Sequence, residues 1–536
     1  MSASQPHAEA VAVRDGLILE AGTLDSLKPW TDRYGATVDE RFKDKTIFPG
    51  FVDPHLHPSL GAVLLPSYFI TAMEWSLPDR KVPATKGRDG YLQALKEGFE
   101  KEGASRDVFV TWGYHQLWHG DLTKADLNAV SKDHPIVVWH RSFHELILND
   151  AAIAHIGVDQ EVMERHPQIN AEIGRFSETG AKVVMAGLKD FLFNPARFLE
   201  GLQSLLQVIH LGGHTTVADM AYGIFDFEQE WMAFNAMINR DEVPLRVLMV
   251  PKGLPEDGAK ESPADAVKVI DGLADRSNDK LFFDRRVKFF TDGAIFSELM
   301  QMEEPGYIDG HEGEWLMVPE LFEERVRAFW TAGYRIHVHC TGNLGHELAI
   351  DVLEKLQREH PRLDPCYTIE HFGVSTEEQV QRLKQFGGRV SANPYYVHEL
   401  GEAYWVKSIG FERASQMVRL GTLMRENVPF ALHSDFTMAP AEPLKNAWVA
   451  VNRLSESGKV LAPEEKIPVH QAMKAITIDA ARIIGLENSI GSIRSGKKAD
   501  FTVLDDDPYE VAPETIKDIT VHATVFEGRV FEVIKE

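Results

Sequence analysis

Cysteine is nearly absent from this chain of 536 residues: only Cys340 and Cys366 occur. Two thiols exclude a disulfide scaffold or a thiolate zinc site and fit a reducing compartment. Positive charge is also scarce, with 56 Lys and Arg against 81 Asp and Glu, a formal net charge of −25. That balance repels phosphate backbones and anionic lipid surfaces, so neither nucleic acid nor membrane is an expected partner. A bilayer-length apolar run is missing as well. The longest uncharged stretch, residues 54–73, carries Pro58, Pro66, Ser59, Ser67 and two histidines. The opening MSASQPHAEAVAV lacks the basic-then-apolar pattern of a signal peptide. No internal repeat or low-complexity tract is apparent. These absences lead us to expect a soluble cytoplasmic protein.

The composition is that of an ordinary globular protein, 44% hydrophobic and 26% charged. Its length suits one large domain plus a satellite. Both ends read as β: AVAVRDGLILEAG is a hairpin broken at Asp15-Gly16, and the tail alternates through GSIRSGKKADFTVLD and ITVHATVFEGRVFEVI. The expected organisation is therefore a small β-sandwich built from residues 1–50 and 483–536, around a main domain at 51–482.

Within that main domain, short β-branched runs alternate with helical stretches, the pattern of parallel βα units. Eight strands are expected, at 47–52, 215–219, 245–250, 287–290, 335–339, 367–371, 389–392 and 430–434, with helices at 320–332, 344–359 and 376–386. The fold class this predicts is α/β, a (β/α)8 TIM barrel. The gap between the first two strands is too long for a plain loop. It holds strand-like VFVTWGY and PIVVWH, so residues 60–210 are expected to form an insertion subdomain over the active site.

The strongest local signal is FPGFVDPHLH. Alternate strand residues share a face, so His55 and His57 can both address one cation, although such a pair can also simply pack. Lys288, His339, His371 and Asp435 fall at or near the expected C-terminal ends of other strands, the face where barrel enzymes place their sites.

Together with VKFFTDGAI, HVHCTGN, YTIEHFG, HSDFTMAPAEPL and the tail, FPGFVDPHLH makes the chain resemble the metal-dependent amidohydrolase superfamily. The closer resemblance is to its YtcJ-like, amidohydrolase-3 branch, which includes N-substituted formamide deformylases. The resemblance implies the barrel and a binuclear metal centre. His55 and His57 would hold one divalent ion, and His339 and His371 the other. A carbamylated Lys288 would bridge the two, and Asp435 would be both ligand and acid/base. An unmodified ammonium would be repelled by two cations, so Lys288 can serve only as a carbamate; the alternative is a lysine paired with Asp284 or Asp292. Zinc is the default metal for such a donor set. Two cations lower the pKa of a bridging water from about 15.7 toward about 7 and polarise a carbonyl, which makes attack by a metal-bound hydroxide available at neutral pH.

Substrate contacts are expected from His144, Trp112 and Tyr114. His144 resembles a family position near the substrate but can equally be structural. Tyr68, Phe69, Trp75, Trp112, Tyr114, Trp118 and Trp139 crowd the insertion, either lining a pocket for an apolar or aromatic molecule or forming a core. His337, two residues before His339, would face the same way and could displace it as a ligand. Asn343 and Phe143-His144-Glu145 depart from the family's usual Asp and Gly-His-Ala. Asp292 is expected to organise the loop after Lys288, and His115 and His119 to be surface or lid residues.

The expected function is hydrolysis of an amide-like C–N bond, other than a peptide bond, in a small molecule. Ester, lactone or carbamate hydrolysis would need the same hardware. A metal-binding relic acting through protein contacts is the reading from another class. A homodimer is compatible with the resemblance.

Overall fold

The computed structural model describes residues 6–253 and 262–533. The first five and last three residues of the expected terminal domain lie outside them, as does the segment 254–261.

Two parallel sheets carry the main α/β framework. In the first, β1 (Phe51–Leu56), β2 (His214–Tyr222) and β3 (Arg246–Pro251) lie side by side, with a short strand at Leu281–Phe283 on the far edge. The second runs in sequence order through β4 (Arg286–Phe290), β5 (Arg335–Cys340), β6 (Tyr367–His371), β7 (Arg389–Ala392) and β8 (Phe430–Leu432). Every pairing in both sheets is parallel, and all these strands except the short edge strand and the ends of β4 and β5 are buried throughout, as covered parallel strands require. The facing edges are also joined. Lys252 and Lys288 form an isolated parallel bridge between the end of β3 and β4. At the other edge Asp435 N donates to His55 O at 2.9 Å and His57 N to Phe436 O at 3.1 Å, tying the segment after β8 to β1.

Helices return the chain between these strands: α1 (Phe227–Ile238), α2 (Pro263–Leu273), α3 (Pro319–Thr331), α4 (Asn343–Glu359), α5 (Glu377–Gln385) and, after β8, α6 (Pro443–Asn452). Their ends follow local chemistry. Asp226 caps α1 through the amides of Glu228 and Gln229, and Pro319 opens α3 at a position where its missing N–H costs nothing. Thr376 and Gln379 form a capping box at α5.

One expected strand is two. The run expected at 47–52 splits into Thr46–Pro49, which pairs antiparallel with Phe501–Leu504, and β1, which pairs parallel with β2. The chain changes sheets at Gly50, where a Cβ would meet Thr215 Oγ1 at 2.1 Å, so only glycine allows the crossing. Thr46–Pro49, Phe501–Leu504, Val521–Phe526 and Arg529–Glu532 make a four-stranded antiparallel sheet. The hairpin Ala10–Arg14/Leu17–Gly22 packs Ile18 and Val11 into the same apolar cluster as Phe501, Val503 and Val525. Buried Arg246 on β3 joins this sheet through Asp500 at 2.9 Å.

Residues 58–207, with 294–299, gather into a compact unit of their own. Its sheet includes Phe109–Tyr114 and Ile136–His140 as a parallel pair, over an apolar cluster of Tyr91, Leu95, Phe109, Tyr114 and Val138. No helix among the described residues is long and apolar enough to cross a membrane.

Candidate metal centre

Strand ends bring several of the expected residues to one place. His55 on β1 and His57, one residue past its end, follow the period-two rule, and their Nε2 atoms lie 3.3 Å apart. Asp435, just past β8, sets Oδ1 at 3.1 Å from His57 Nε2 and 3.5 Å from His55 Nε2, and Oδ2 at 3.3 Å from His371 Nδ1. The His371 and His339 rings are 4.5 Å apart, centre to centre. Lys288 on β4 sits beside His337 in register, buried, and its Nζ has no hydrogen-bond partner. Asp284 is occupied by Arg335, and Asp292 by the loop beyond, so neither acid is the lysine's partner.

Backbone strain helps to assemble the group. Strand alternation would send Glu370 and His371 to opposite faces, yet both reach the cluster, because His371 takes φ 72°. Asp435 at φ 54° is turned in the same way. Left-handed conformations in non-glycine residues cost about 1–3 kcal/mol each and gather where a side chain must be aimed.

Glu370 is the hub that sequence reasoning missed. Its Oε2 lies 2.6 Å from His55 Nδ1 and its Oε1 2.6 Å from His337 Nδ1. A carboxylate accepts, so His55 carries its proton on Nδ1 and leaves the Nε2 lone pair for a cation, the usual carboxylate–histidine arrangement around metals. The same bond bears on the choice between His337 and His339. His337 Nε2 accepts from Arg286 Nη1 at 3.0 Å, so both of its nitrogens are taken. Asp53 is a second positioning group. It accepts from Ser434 N and Oγ and from His55 N, locking β1 to the loop that carries Asp435.

His433 was missed as well. It lies two residues before Asp435, with its ring 4.5 Å from that of His55. The signals that could have found these residues are the i−2 spacing of His433 and the placement of Glu370 directly before His371.

Burial sets the charge state of the group. It lowers His55, His371 and His433 well below the usual imidazole range, helped by Lys288 and neighbouring imidazoles, so all three are neutral and able to donate lone pairs. Burial also lowers Lys288 to about 8 against the pull of Glu370 and Asp435. It raises Glu370 to about 7, Asp53 to about 7, and Asp435 above its ordinary value.

This donor set fits a divalent cation. His433 Nε2, His371 Nδ1 and Lys288 Nζ are buried with no hydrogen-bond partner, a costly state for a cluster of polar atoms unless something binds them. Two overlapping groups have one ligand atom from each residue within 4.8 Å of the others: His55, His57 and Asp435, and His55, His371 and His433.

Around the centre, Asp292 accepts from Thr341 N, Gly342 N and Gln301 N, joining the loops after β4 and β5, as expected of it. Asn343 holds the 303 loop through both its amide atoms.

The other expected contacts belong to the inserted unit. His144 Nδ1 lies 2.8 Å from Glu178 Oε2. Tyr114 donates its hydroxyl to Gly120 O, and Trp112 is fully buried among Phe69, Trp75 and the Arg141 guanidinium. Trp75, Trp112 and Trp139 thus form core, the second of the two roles open to them. The expectation that His115 and His119 lie on a surface or lid is wrong. Both are buried; His119 Nδ1 accepts from His115 N, and His119 Nε2 lies 2.9 Å from Thr85 O.

Comparison with known proteins agrees in direction. The amidohydrolase family model Amidohydro_3 matches residues 42–531. A putative amidohydrolase, YtcJ of Bacillus subtilis, is 26% identical over 97% of this chain and 95% of its own length. An N-substituted formamide deformylase of Arthrobacter pascens is 23% identical, covering 97% and 94%. A solved metal-dependent hydrolase of Pyrococcus horikoshii superposes with a TM-score of 0.69 at 20% identity, over 94% of each chain, which speaks to the fold.

Proposed function

The chain belongs to the amidohydrolase family, and from that premise we propose that it is a metal-dependent hydrolase of a non-peptide, amide-like C–N bond in a small molecule. The observation that carries this reading is the meeting of His55 Nε2, His57 Nε2 and Asp435 Oδ1 within 3.1–3.5 Å, from the two strands at opposite ends of the parallel order. The bonds that join both pairs of sheet edges support closure of the eight strands into a (β/α)8 barrel. The antiparallel sheet and the hairpin support a small sandwich built from both termini. Closure would put the cluster at the C-terminal mouth.

His55, His57, His339, His371 and Asp435 would hold two divalent ions, zinc by donor chemistry. When bound, the ions supply Lewis acidity, making water acidic enough to deprotonate near neutral pH and polarising the carbonyl under attack. Lys288 fits the part of a carbamylated bridge: it is buried, unpaired and lowered to about 8, so a neutral amine is within reach for CO2. Asp435 would take the proton of the attacking water on a carboxylate oxygen and pass it to the departing nitrogen. Glu370 keeps His55 in the tautomer that presents Nε2, and Asp53 holds Asp435 near β1.

The test is chelator-reversible release of amine from a panel of N-acyl and N-formyl aromatic compounds. Metal-loaded protein with no turnover across amides, esters and lactones would reject the enzyme reading.

A further inference from the structure

The centre holds a histidine that neither half of the expected binuclear set uses. His433 is 1% exposed, at the end of β8. Its Nδ1 lies 2.7 Å from Ser391 Oγ and 3.7 Å from Glu370 Oε2. A carboxylate only accepts, so a proton on His433 Nδ1 faces two acceptors, the serine oxygen and the Glu370 carboxylate. The lone pair of His433 is thereby placed on Nε2, which is buried with no hydrogen-bond partner. His55 is set in the same way, with Nδ1 against Glu370 and Nε2 turned toward His57 Nε2 at 3.3 Å. His371 completes the set: ring centres are 4.6 Å apart for His55 and His371, 4.5 Å for His55 and His433, and 5.3 Å for His371 and His433. One ring nitrogen from each falls within 4.8 Å of the other two.

We infer that His433 Nε2 is a metal ligand, and that with His55 and His371 it forms an all-imidazole site for one borderline divalent ion such as Zn2+ or Co2+. This site overlaps the mixed set of His55, His57 and Asp435, and the two share His55. A single imidazole nitrogen serves one ion at a time, so an ion held by the three histidines and one held by the mixed set compete for His55. The all-nitrogen set favours zinc, cobalt or nickel over manganese and magnesium, which prefer oxygen donors. It also needs no carbamate, so it can take an ion before Lys288 is modified.

The inference rests on the reading of this cluster as a metal centre, and the test separates the two. Wild-type full-length protein is stripped with chelator, loaded with one equivalent of Zn2+ without added bicarbonate, and studied by X-ray absorption at the zinc edge. Three imidazoles in the first shell are expected, and two or fewer overturn the inference while leaving the centre standing. Failure to bind zinc at all overturns both. A second measurement titrates Co2+ and Mn2+ against a chromogenic chelator in wild type and H433Q. Co2+ affinity is expected to fall at least about tenfold, with a changed visible spectrum, while Mn2+ affinity is nearly unmoved. Equal Co2+ affinity and an identical spectrum in H433Q overturn the inference. Should H433Q not fold, Ser391→Ala takes its place, with weaker Co2+ binding expected and unchanged binding counting against the ligand role.

Discussion

Two groups of buried histidines in this protein have opposite chemistry. In the inserted unit, His119 and His140 spend both ring nitrogens locally: His119 on His115 N and Thr85 O, His140 on Ser142 and on Gln116 Oε1 at 2.9 Å. At the strand ends, His55 and His433 spend one nitrogen on Glu370 and Ser391 and turn the other toward neighbouring rings, as His57 turns its Nε2 toward Asp435. Burial and histidine density are alike in the two groups. What differs is where the second nitrogen goes. A satisfied imidazole is a strut, whereas an imidazole with one nitrogen anchored and the other held open in company is a ligand in waiting.

The sharpest break between the groups is expected on substitution at the strand ends. Asp435→Asn should cut kcat by about 10²–10⁴-fold, as loss of an acid/base does, with the folded state retained by circular dichroism. Lys288→Ala should lose bound metal and activity together, with part of the activity restored by a short carboxylic acid that stands in for the carbamate. Full activity in the lysine variant would reject its bridging role.

Metal removal comes next in size. An ion present at about a thousand times its Kd stabilises the protein that binds it by about 4 kcal/mol, so chelation should lower the thermal midpoint of the wild type. The same treatment should do much less to His55→Gln. Equal chelator sensitivity in the two would break the contrast from the metal side.

Substitution in the inserted unit should do the reverse. His119→Leu strands Thr85 O and His115 N, at about 1–3 kcal/mol per buried group, yet should leave zinc stoichiometry at the wild-type value by elemental analysis. Loss of zinc in that variant would show that the two groups are not separate in kind.

The smallest effect is a pH dependence. Burial lowers His119 to about 4 from an ordinary 6.5. The unfolded chain therefore takes up a proton on this ring, as pH falls from 6.5 toward 4, that the folded chain refuses. The stability His119 contributes is complete above about 6.5 and shrinks below it, by up to about 1.4 kcal/mol per pH unit. Urea midpoints of metal-free wild type and His119→Gln, compared across that window, should converge on acidification. A constant gap would mean that the ring is not held neutral.

Much of this architecture was legible in the chain. The alternation of β-branched runs with amphipathic stretches marked the parallel strands, because covered strands and surface helices differ in period. The FPGFVDPHLH run marked His55 and His57, since two donors at i and i+2 on a strand must share a face. The change of sheet at Gly50 was not legible, because it depends on the approach of Thr215 from a strand far along the chain. The His115 and His119 spacing misled in the other direction: it is real helical spacing, but its partners, such as Thr85 O, are backbone atoms that leave no mark in a side-chain pattern. Glu370 escaped because strand alternation assigns only one of two adjacent residues to a face, and the φ of 72° at His371 that admits both is a property of the fold.

The most direct test of the metal centre is zinc binding by equilibrium dialysis, comparing wild type with His55→Gln, since both donor groups depend on this one ring. At least one tightly held ion per wild-type chain is predicted, with a loss of affinity of at least about tenfold in the variant. A wild type that retains no zinc, or a variant that binds it as tightly as the wild type, would contradict the account.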